Sequence, residues 1–213
     1  MNRLNQKIIV VTGGNGLIGK AILEYIRQEG AIAINAEINV EHDLNNGIVC
    51  CDITEIESVR QAIDIILNKY NQIDGWVNNA YPRTSDWSNI FENIKVDSWK
   101  HNVDIQLNSL FICCQLVLEV MKQQKSGSIV NMSSIYGVVA PDFGVYEGTG
   151  MTMPAAYSAI KGGVVNFSRY LASYFGKYGI RINCVSPGGI FDNQNEIFVK
   201  QYNKKVPMGR MGL

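Results

Sequence analysis

A tyrosine and a lysine four positions apart form a pair that could move a proton. Tyr157 and Lys161 lie in the segment YSAIK, within a predicted helix, and this spacing places both on one helix face. The pKa of a free tyrosine is about 10, and a neighbouring ammonium group favours the phenolate and lowers that pKa. The pair predicts a general acid/base, although the same spacing is common on exposed helix faces without chemistry.

Polar residues follow three of the predicted strands. The segment NMSS ends at Ser134, NNA ends at Ala80, and SPGG ends at Gly189. Parallel sheets bind ligands outside the carboxyl ends of their strands, so we expect these residues at one ligand-binding edge. A serine hydroxyl at that edge can hydrogen bond a substrate carbonyl.

The glycine-rich stretch VTGGNGLIGKA fits two kinds of nucleotide-binding turn. A P-loop requires Ser or Thr after its lysine to hold magnesium, and here Lys20 is followed by Ala21. A G-x-G-x-x-G dinucleotide turn requires a preceding strand, a following helix and an acid about 20 residues further on. Glu37 supplies that acid, so the stretch predicts a dinucleotide site.

Strand-like and helical segments alternate along the chain. A capping box, Thr54 to Glu57, is predicted to open the second helix, and Pro154 is predicted to open the last. This alternation predicts a Rossmann-like doubly wound parallel sheet in a three-layer α/β/α arrangement, with residues 1–213 as a single domain. The predicted strands are 7–11, 31–34, 47–51, 73–77, 128–132 and 180–185; the predicted helices are 18–28, 54–70, 97–124 and 154–176.

The composition narrows the classes of partner and location. The formal net charge of the 213-residue chain is zero. The composition therefore shows no excess of positive charge of the kind that binds nucleic acid or an anionic membrane. Two histidines far apart in sequence make a zinc site improbable. The five cysteines include no C-x-x-C spacing, so we expect free buried thiols. The start, MNRLNQKIIVV, leads directly into a strand and predicts no signal peptide and a cytoplasmic protein.

Together these motifs resemble the short-chain dehydrogenase/reductase family. The matching segments, which span nearly the whole chain, are TGGNGLIG, Glu37, CDIT, NNA, NMSS, YSAIK, RINCVSPGG and VPMGRMG. The resemblance implies an NAD(P)-dependent oxidoreductase in which Tyr157 is the acid/base, Lys161 lowers its pKa and binds the nicotinamide ribose, and Ser134 orients the substrate. Gln106 stands where the family often has a catalytic asparagine.

The resemblance also implies a cofactor site. A carboxylate at Glu37 bonds a ribose 2′-hydroxyl and repels a 2′-phosphate, so we expect NAD in preference to NADP and no metal. The implied cofactor-binding residues are Gly13, Asn15, Gly16, Leu17, Ile18, Gly19, Glu37, Asp52, Ile53, Asn79, Ala80, Tyr157, Lys161, Pro187, Gly188 and Ile190.

Several segments narrow or depart from the family pattern. The segments NNAYPR, SSIYGVVAPDF and YEGTGMTMPAAYSAIKGG resemble oxidoreductases of flagellin modification and nonulosonic-acid sugar biosynthesis. This implies a sugar-type substrate, with Arg83 available to pair with a phosphate, and a homodimer or homotetramer formed through the long helices.

Residues 141–154 form an insertion of unknown role, which is either a lid or an inert surface loop. Residues 39–46, between the second and third predicted strands, are too few for the helix that the family usually has there. The family normally continues with a further C-terminal helix and strand, which we expect to be missing from this chain. The alternative is a non-catalytic dinucleotide-binding protein.

Overall fold

Buried strands form the centre of the molecule. The computed structural model describes residues 3–213, in which six parallel strands lie in the order β3-β2-β1-β4-β5-β6. The chain order reverses between β1 and β4, which makes this a doubly wound, Rossmann-like sheet as predicted. The strands are β1 Ile8–Thr12, β2 Ile32–Glu37, β3 Ile48–Cys50, β4 Gly75–Asn78, β5 Gly127–Met132 and β6 Ile180–Val185.

Helices cover both faces of this sheet. Alternate residues of β1 point to opposite faces, so Val10 belongs to the larger apolar cluster and Val11 to the smaller one. The larger cluster includes residues of the helices Ile56–Tyr70, Ser109–Gln124 and Ala155–Phe175, whereas the smaller one includes residues of the helix Leu17–Gln28. The helices are α1 Leu17–Gln28, α2 Ile56–Tyr70, α3 Val96–Val103, α4 Ser109–Gln124, α5 Ala155–Phe175 and α6 Glu196–Asn203.

The predicted long helix over 97–124 is interrupted by a π-helical turn. Residues Asp104–Asn108 form this turn between α3 and α4. The combined helix is apolar and long enough to cross a bilayer by composition alone, but α4 contributes many residues to the larger core cluster. We therefore interpret it as a core helix with a one-residue register change, a feature that is frequent at functional sites.

The start of α2 differs from the predicted capping box. Glu55 is the N-cap residue and makes no side-chain cap. Thr54 instead directs both its backbone N–H and its hydroxyl to Asp52 Oδ1, at 2.9 and 2.7 Å. The carboxylate two residues upstream competes for the threonine, so the capping-box prediction is wrong.

The link between β2 and β3 contains no helix, as its length predicted. Residues 39–47 form turns and an isolated bridge between Asp43 and Ile48. All five cysteines are free. Three of them are buried as expected, whereas Cys50 and Cys184 are only partly buried.

The insertion at 141–154 packs against α6. Val145 and Tyr146 lie in a 3₁₀ turn, Phe143–Tyr146, and join a small apolar cluster with Phe198, Tyr202 and Met211. The insertion is therefore docked on the fold by buried side chains, and its role stays a prediction.

Candidate active site

The glycine-rich turn makes a concave platform at the end of β1. Gly13 has a φ of +66°, which favours glycine, and a Cβ on Gly19 would lie 2.3 Å from the Gly13 carbonyl oxygen. Gly16 is the N-cap of α1 and makes no side-chain cap. The first backbone N–H groups of α1 are therefore available to an anionic ligand.

The acid at the end of β2 braces this turn. Glu37 Oε2 accepts a hydrogen bond from the backbone N–H of Asn15 at 2.9 Å, and Oε1 accepts from Ile38 N–H at 3.1 Å. Asn35 Oδ1 accepts from Gly14 N–H at 3.0 Å. The carboxylate is thus held over the glycine platform, and the support from Asn35 was missed by the sequence motif.

A cavity of about 680 Å³ runs from this platform to the ends of β3 and β4. Its size and its open glycine turn fit a dinucleotide, and Glu37 stands at one end while Arg83 stands beyond β4. Eleven of the predicted cofactor residues line it: Gly13, Asn15, Gly16, Leu17, Ile18, Gly19, Glu37, Asp52, Ile53, Asn79 and Ala80.

Five predicted cofactor residues do not line this cavity: Tyr157 and Lys161, which are described below, and Pro187, Gly188 and Ile190. Pro187 lies beside the Ser134 turn, since its carbonyl accepts from Ile135 N–H at 3.1 Å. Gly188 lies against the Tyr202 hydroxyl. Ile190 forms an isolated β-bridge with Gly212. These last three residues border the site from the β6 side.

Lys161 and Tyr157 are held at the end of β5. Lys161 Nζ donates to the Met132 carbonyl oxygen at 2.9 Å, and it lies 5.6 Å from the centroid of the Tyr157 ring. Ser133 Oγ donates to the Lys161 carbonyl at 2.8 Å. These bonds fix the register of α5 against β5, so both side chains face the strand ends as predicted.

Burial dominates the ionisation of this pair. Burial raises the pKa of Tyr157, and a hydrogen bond with Ser134 lowers it in part. The net shift is therefore the rise that burial causes, and the lowering of this pKa by Lys161 stays a prediction. Burial lowers the pKa of Lys161 to about 8, because desolvation disfavours the ammonium form.

Ser134 is buried and sits at the start of a 3₁₀ turn. Its Oγ accepts from the backbone N–H of Tyr136 at 3.2 Å, which leaves the hydroxyl proton available. The turn that follows Ser134 packs against α5 beside Lys161, where a Cβ on Gly137 would lie 2.6 Å from the Lys161 carbonyl. Ser134, Tyr157 and Lys161 therefore lie together near the end of β5, as the sequence predicted.

Gln106 lies in the π-helical turn with an unsatisfied amide. The residue is buried, and neither Nε2 nor Oε1 has a hydrogen-bond partner in the described part of the chain. It borders a cavity of about 20 Å³ together with Lys161, Tyr81 and Ser109. A cavity of this size with polar walls can hold one water molecule.

Two aromatic residues that the motifs did not identify complete the site. The rings of Tyr81 and Trp87 stand edge-to-face against Tyr157, with centroids 5.8 and 6.3 Å away. Tyr81 also faces Lys161 Nζ, which lies 5.4 Å from its ring centroid. The position of Tyr81 directly after NNA at a strand end was a usable signal, whereas nothing local pointed to Trp87.

The two cavities meet at shared residues. Ile53, Ala80 and Tyr81 line both the dinucleotide-sized cavity and the small cavity beside Lys161. Arg83 lies over the Tyr81 ring at 5.6 Å and lines the larger cavity. The arrangement can therefore hold an extended cofactor with one end close to an acid/base pair.

Comparisons with known proteins agree with this geometry. A family model described as enoyl-(acyl carrier protein) reductase matches residues 17–213. The chain is 38% identical to post-translational flagellin modification protein A of Campylobacter coli over 94% of this chain and 84% of that protein. It is 32% identical to 7alpha-hydroxysteroid dehydrogenase of Bacteroides fragilis over 88% of this chain and 73% of that protein.

The solved structure of a short chain dehydrogenase from Leptospira borgpetersenii with bound NAD+ aligns with a TM-score of 0.86 and 32% identity, covering 98% of this chain and 81% of that one. The chain therefore belongs to the short-chain dehydrogenase/reductase family of oxidoreductases.

Proposed function

We propose that this protein is an NAD(H)-dependent oxidoreductase that interconverts an alcohol and a ketone on a sugar or sugar derivative. The observation that carries the proposal is that Ala80 and Tyr81 line both the dinucleotide-sized cavity and the small cavity beside Lys161. The Tyr157 ring lies against Tyr81, with ring centroids 5.8 Å apart. The NAD+ bound in the structure of the relative from Leptospira borgpetersenii supports the same cofactor class.

The cavity offers a partner for each part of the cofactor. The free N–H groups at the start of α1 fit the pyrophosphate, and Asp52 and Ile53 line the side assigned to the adenine. A carboxylate such as that of Glu37 accepts a hydrogen bond from a ribose hydroxyl and repels a 2′-phosphate, which supports a free 2′-hydroxyl on the cofactor. Among the described residues that line the cavity, Arg83 is the one cation, and it lies after β4, away from the β2 end. We therefore propose NAD in preference to NADP.

The chain's own residues control the proton. The cofactor supplies or accepts the hydride. In reduction, the Tyr157 hydroxyl gives its proton to the substrate carbonyl oxygen, while the Ser134 hydroxyl donates a hydrogen bond to that oxygen. In oxidation, the Tyr157 phenolate takes the proton of the substrate hydroxyl. Lys161, when charged, stabilises that phenolate.

Gln106 is proposed to hold a water molecule that reaches Lys161. Its amide offers a donor and an acceptor to the small cavity, and neither has a partner among residues 3–213. A water there would pair with the amide and with the Lys161 ammonium. This would connect the acid/base pair to an exchangeable proton, in the role that an asparagine often has in the family.

The sugar-type substrate is proposed from the resemblance of NNAYPR, SSIYGVVAPDF and YEGTGMTMPAAYSAIKGG to oxidoreductases of flagellin modification and nonulosonic-acid biosynthesis. The relative from Campylobacter coli is itself a flagellin modification protein. Arg83 lies between the cofactor cavity and the aromatic residues around Tyr157, where it could pair with a substrate phosphate. We expect Arg83→Ala to raise the KM for a phosphorylated or nucleotide-linked sugar about 10-fold and to change kcat little. An unchanged KM in steady-state kinetics would remove the arginine from the proposal.

A binding titration and a turnover assay test the function together. NADH should bind more tightly than NADPH, and NAD(H) should support turnover of at least one member of a panel of keto- and amino-sugars. NADH binding without turnover on any member would favour the alternative, a non-catalytic dinucleotide-binding protein. We also propose a cytoplasmic homodimer or homotetramer that acts on a small molecule and binds neither nucleic acid nor membrane.

A further inference from the structure

A buried asparagine interrupts the apolar pattern of β2. Ala33 packs in the smaller apolar cluster with Leu23 and Ile26 of α1. Because side chains alternate between the two faces of a strand, Asn35 lies on the same face as Ala33, and it is only 7% exposed. A buried amide costs free energy unless its polar atoms are hydrogen-bonded. Packing against α1 therefore gives no reason for an asparagine at this position.

The Asn35 amide holds the glycine-rich turn with both of its ends. Its Oδ1 accepts a hydrogen bond from Gly14 N–H at 3.0 Å, and its Nδ2 donates to Asn15 Oδ1 at 3.0 Å. A Cβ on Gly14 would collide with Asn35 Oδ1, so the turn approaches the amide more closely than any other residue would allow. The asparagine thus fixes two successive residues of the turn.

The second of these residues also holds the acid at the end of β2. Asn15 N–H donates to Glu37 Oε2 at 2.9 Å. The direction of this N–H depends on its own side chain and on the preceding N–H of Gly14, both of which are hydrogen-bonded to Asn35. Asn35 therefore sets the direction of the N–H group that fixes the Glu37 carboxylate.

A carboxylate that is held in place can reject an anion that a mobile carboxylate would tolerate. Glu37 is half-buried and lines the cavity of about 680 Å³. Two like charges that are forced together in a partly buried site repel each other strongly, whereas a free side chain would rotate away into water. Exclusion of a competing ligand by charge therefore requires that the charge stays where it is.

We propose that Asn35 is a positioning residue that enforces the choice of NAD over NADP, because it holds Asn15 in the orientation that fixes the Glu37 carboxylate on the cavity wall. This inference rests on the proposed function and deepens its preference for NAD. The asparagine acts through Asn15 and Glu37 rather than by contact with the cofactor.

Calorimetric titration with NADH and NADPH tests this role without a substrate. The readout is the ratio of the Kd for NADPH to the Kd for NADH, which a general loosening of the turn would leave unchanged. We expect this ratio to exceed one in the wild type and to fall about 3- to 10-fold in Asn35→Ala and in Asn15→Ala. Asn15 is exposed, so the second variant keeps the test decisive if Asn35→Ala does not fold.

Ile34→Val is the matched control for a loss of packing in β2. Ile34 is fully buried next to Asn35 and belongs to the larger apolar cluster on the opposite face of the sheet. The substitution removes one buried carbon and lowers stability, but it leaves the hydrogen bonds to the turn in place. This variant should keep the wild-type ratio.

A Glu37→Ala background tests whether Asn35 acts through the carboxylate. Without the carboxylate there is no charge to position, so adding Asn35→Ala to Glu37→Ala should leave the ratio unchanged. A ratio that still falls in this background would show that Asn35 acts by another route, and the proposal would be wrong.

The outcomes separate this inference from the function on which it rests. A wild type that prefers NADH, together with an unchanged ratio in either folded variant, overturns the role of Asn35 and leaves the proposed cofactor intact. A wild type that binds both cofactors equally, or NADPH more tightly, overturns the proposed preference for NAD and this inference with it. A wild type that binds neither cofactor overturns the dinucleotide site itself.

Discussion

At the scale of single residues, burial sets the chemistry of the site more than sequence spacing does. Tyr157 and Lys161 share a helix face as their spacing predicts, yet burial raises the pKa of the tyrosine and lowers that of the lysine. Both shifts favour the neutral forms. Tyr157 is thus kept as a proton donor, and the charge of Lys161 becomes sensitive to its surroundings near neutral pH.

The depressed pKa of Lys161 has a consequence for stability. The pKa is about 8 in the folded chain against 10.5 for the free group, so between these values the unfolded chain binds more protons and the free energy of unfolding rises with pH. We expect the wild type to gain roughly 1–2 kcal/mol relative to Lys161→Met between pH ~7 and ~9.5. Urea unfolding of both proteins at each pH measures this difference.

Comparison with the variant isolates the lysine, because the other titrating groups are shared by both proteins. A difference that stays constant with pH, or that moves against the wild type as pH rises, would show that the lysine is not desolvated as described.

At the scale of elements, the π-helical turn at Asp104–Asn108 is the feature that aims Gln106 into the site. A regular helix satisfies its backbone but gives a buried glutamine amide no partner. Both amide atoms of Gln106 lack a partner within the part of the chain that the structure describes. A buried polar group without a partner costs roughly 1–3 kcal/mol. The proposed water would offset part of this cost, and the remainder would be a local cost of the π-helical turn.

We expect Gln106→Met to be more stable than the wild type by about 1 kcal/mol and to lose most of its kcat, because the unpaired amide and its water are both removed. Gln106→Asn keeps an amide and should retain more of the kcat. Thermal unfolding and steady-state kinetics measure the two effects separately. A Met variant with full kcat would exclude a part for Gln106 in turnover.

Sequence patterns identified the elements and the main site because these depend on local or repeating signals. The glycine turn, Glu37, the six strands and the YSAIK pair each follow from spacing within a short segment. The edge-to-face contacts of Tyr81 and Trp87 depend on side chains that meet only through the fold. The π-helical turn and the docking of Tyr146 on α6 were not predicted for the same reason. The capping-box prediction is wrong because Asp52 competes for Thr54.

At the scale of the whole molecule, an aromatic stripe on α4 and α5 is left uncovered. Phe111, Tyr170 and Tyr174 are 47%, 60% and 51% exposed, and their rings follow one another with Phe167 along the two helices. Leu110, which lies on α4 as well, is buried in the core. The stripe borders a groove of about 300 Å³ and is the surface through which we expect the long helices to pair with a second copy.

We expect Tyr170→Glu to shift the protein from dimer or tetramer toward monomer, because a carboxylate in an apolar interface is costly to desolvate. Sedimentation velocity at several concentrations measures the change, with Tyr25→Glu on α1 as the control. Unchanged assembly in Tyr170→Glu would place the interface elsewhere.

The most direct test of the central claim is the turnover of Tyr157→Phe with NAD(H). The substitution removes one hydroxyl and keeps the ring that packs against Tyr81 and Trp87. We predict that NADH still binds and that kcat falls by at least about 100-fold on any substrate the wild type turns over. A variant that kept the full kcat of the wild type would contradict the assignment of Tyr157 as the acid/base.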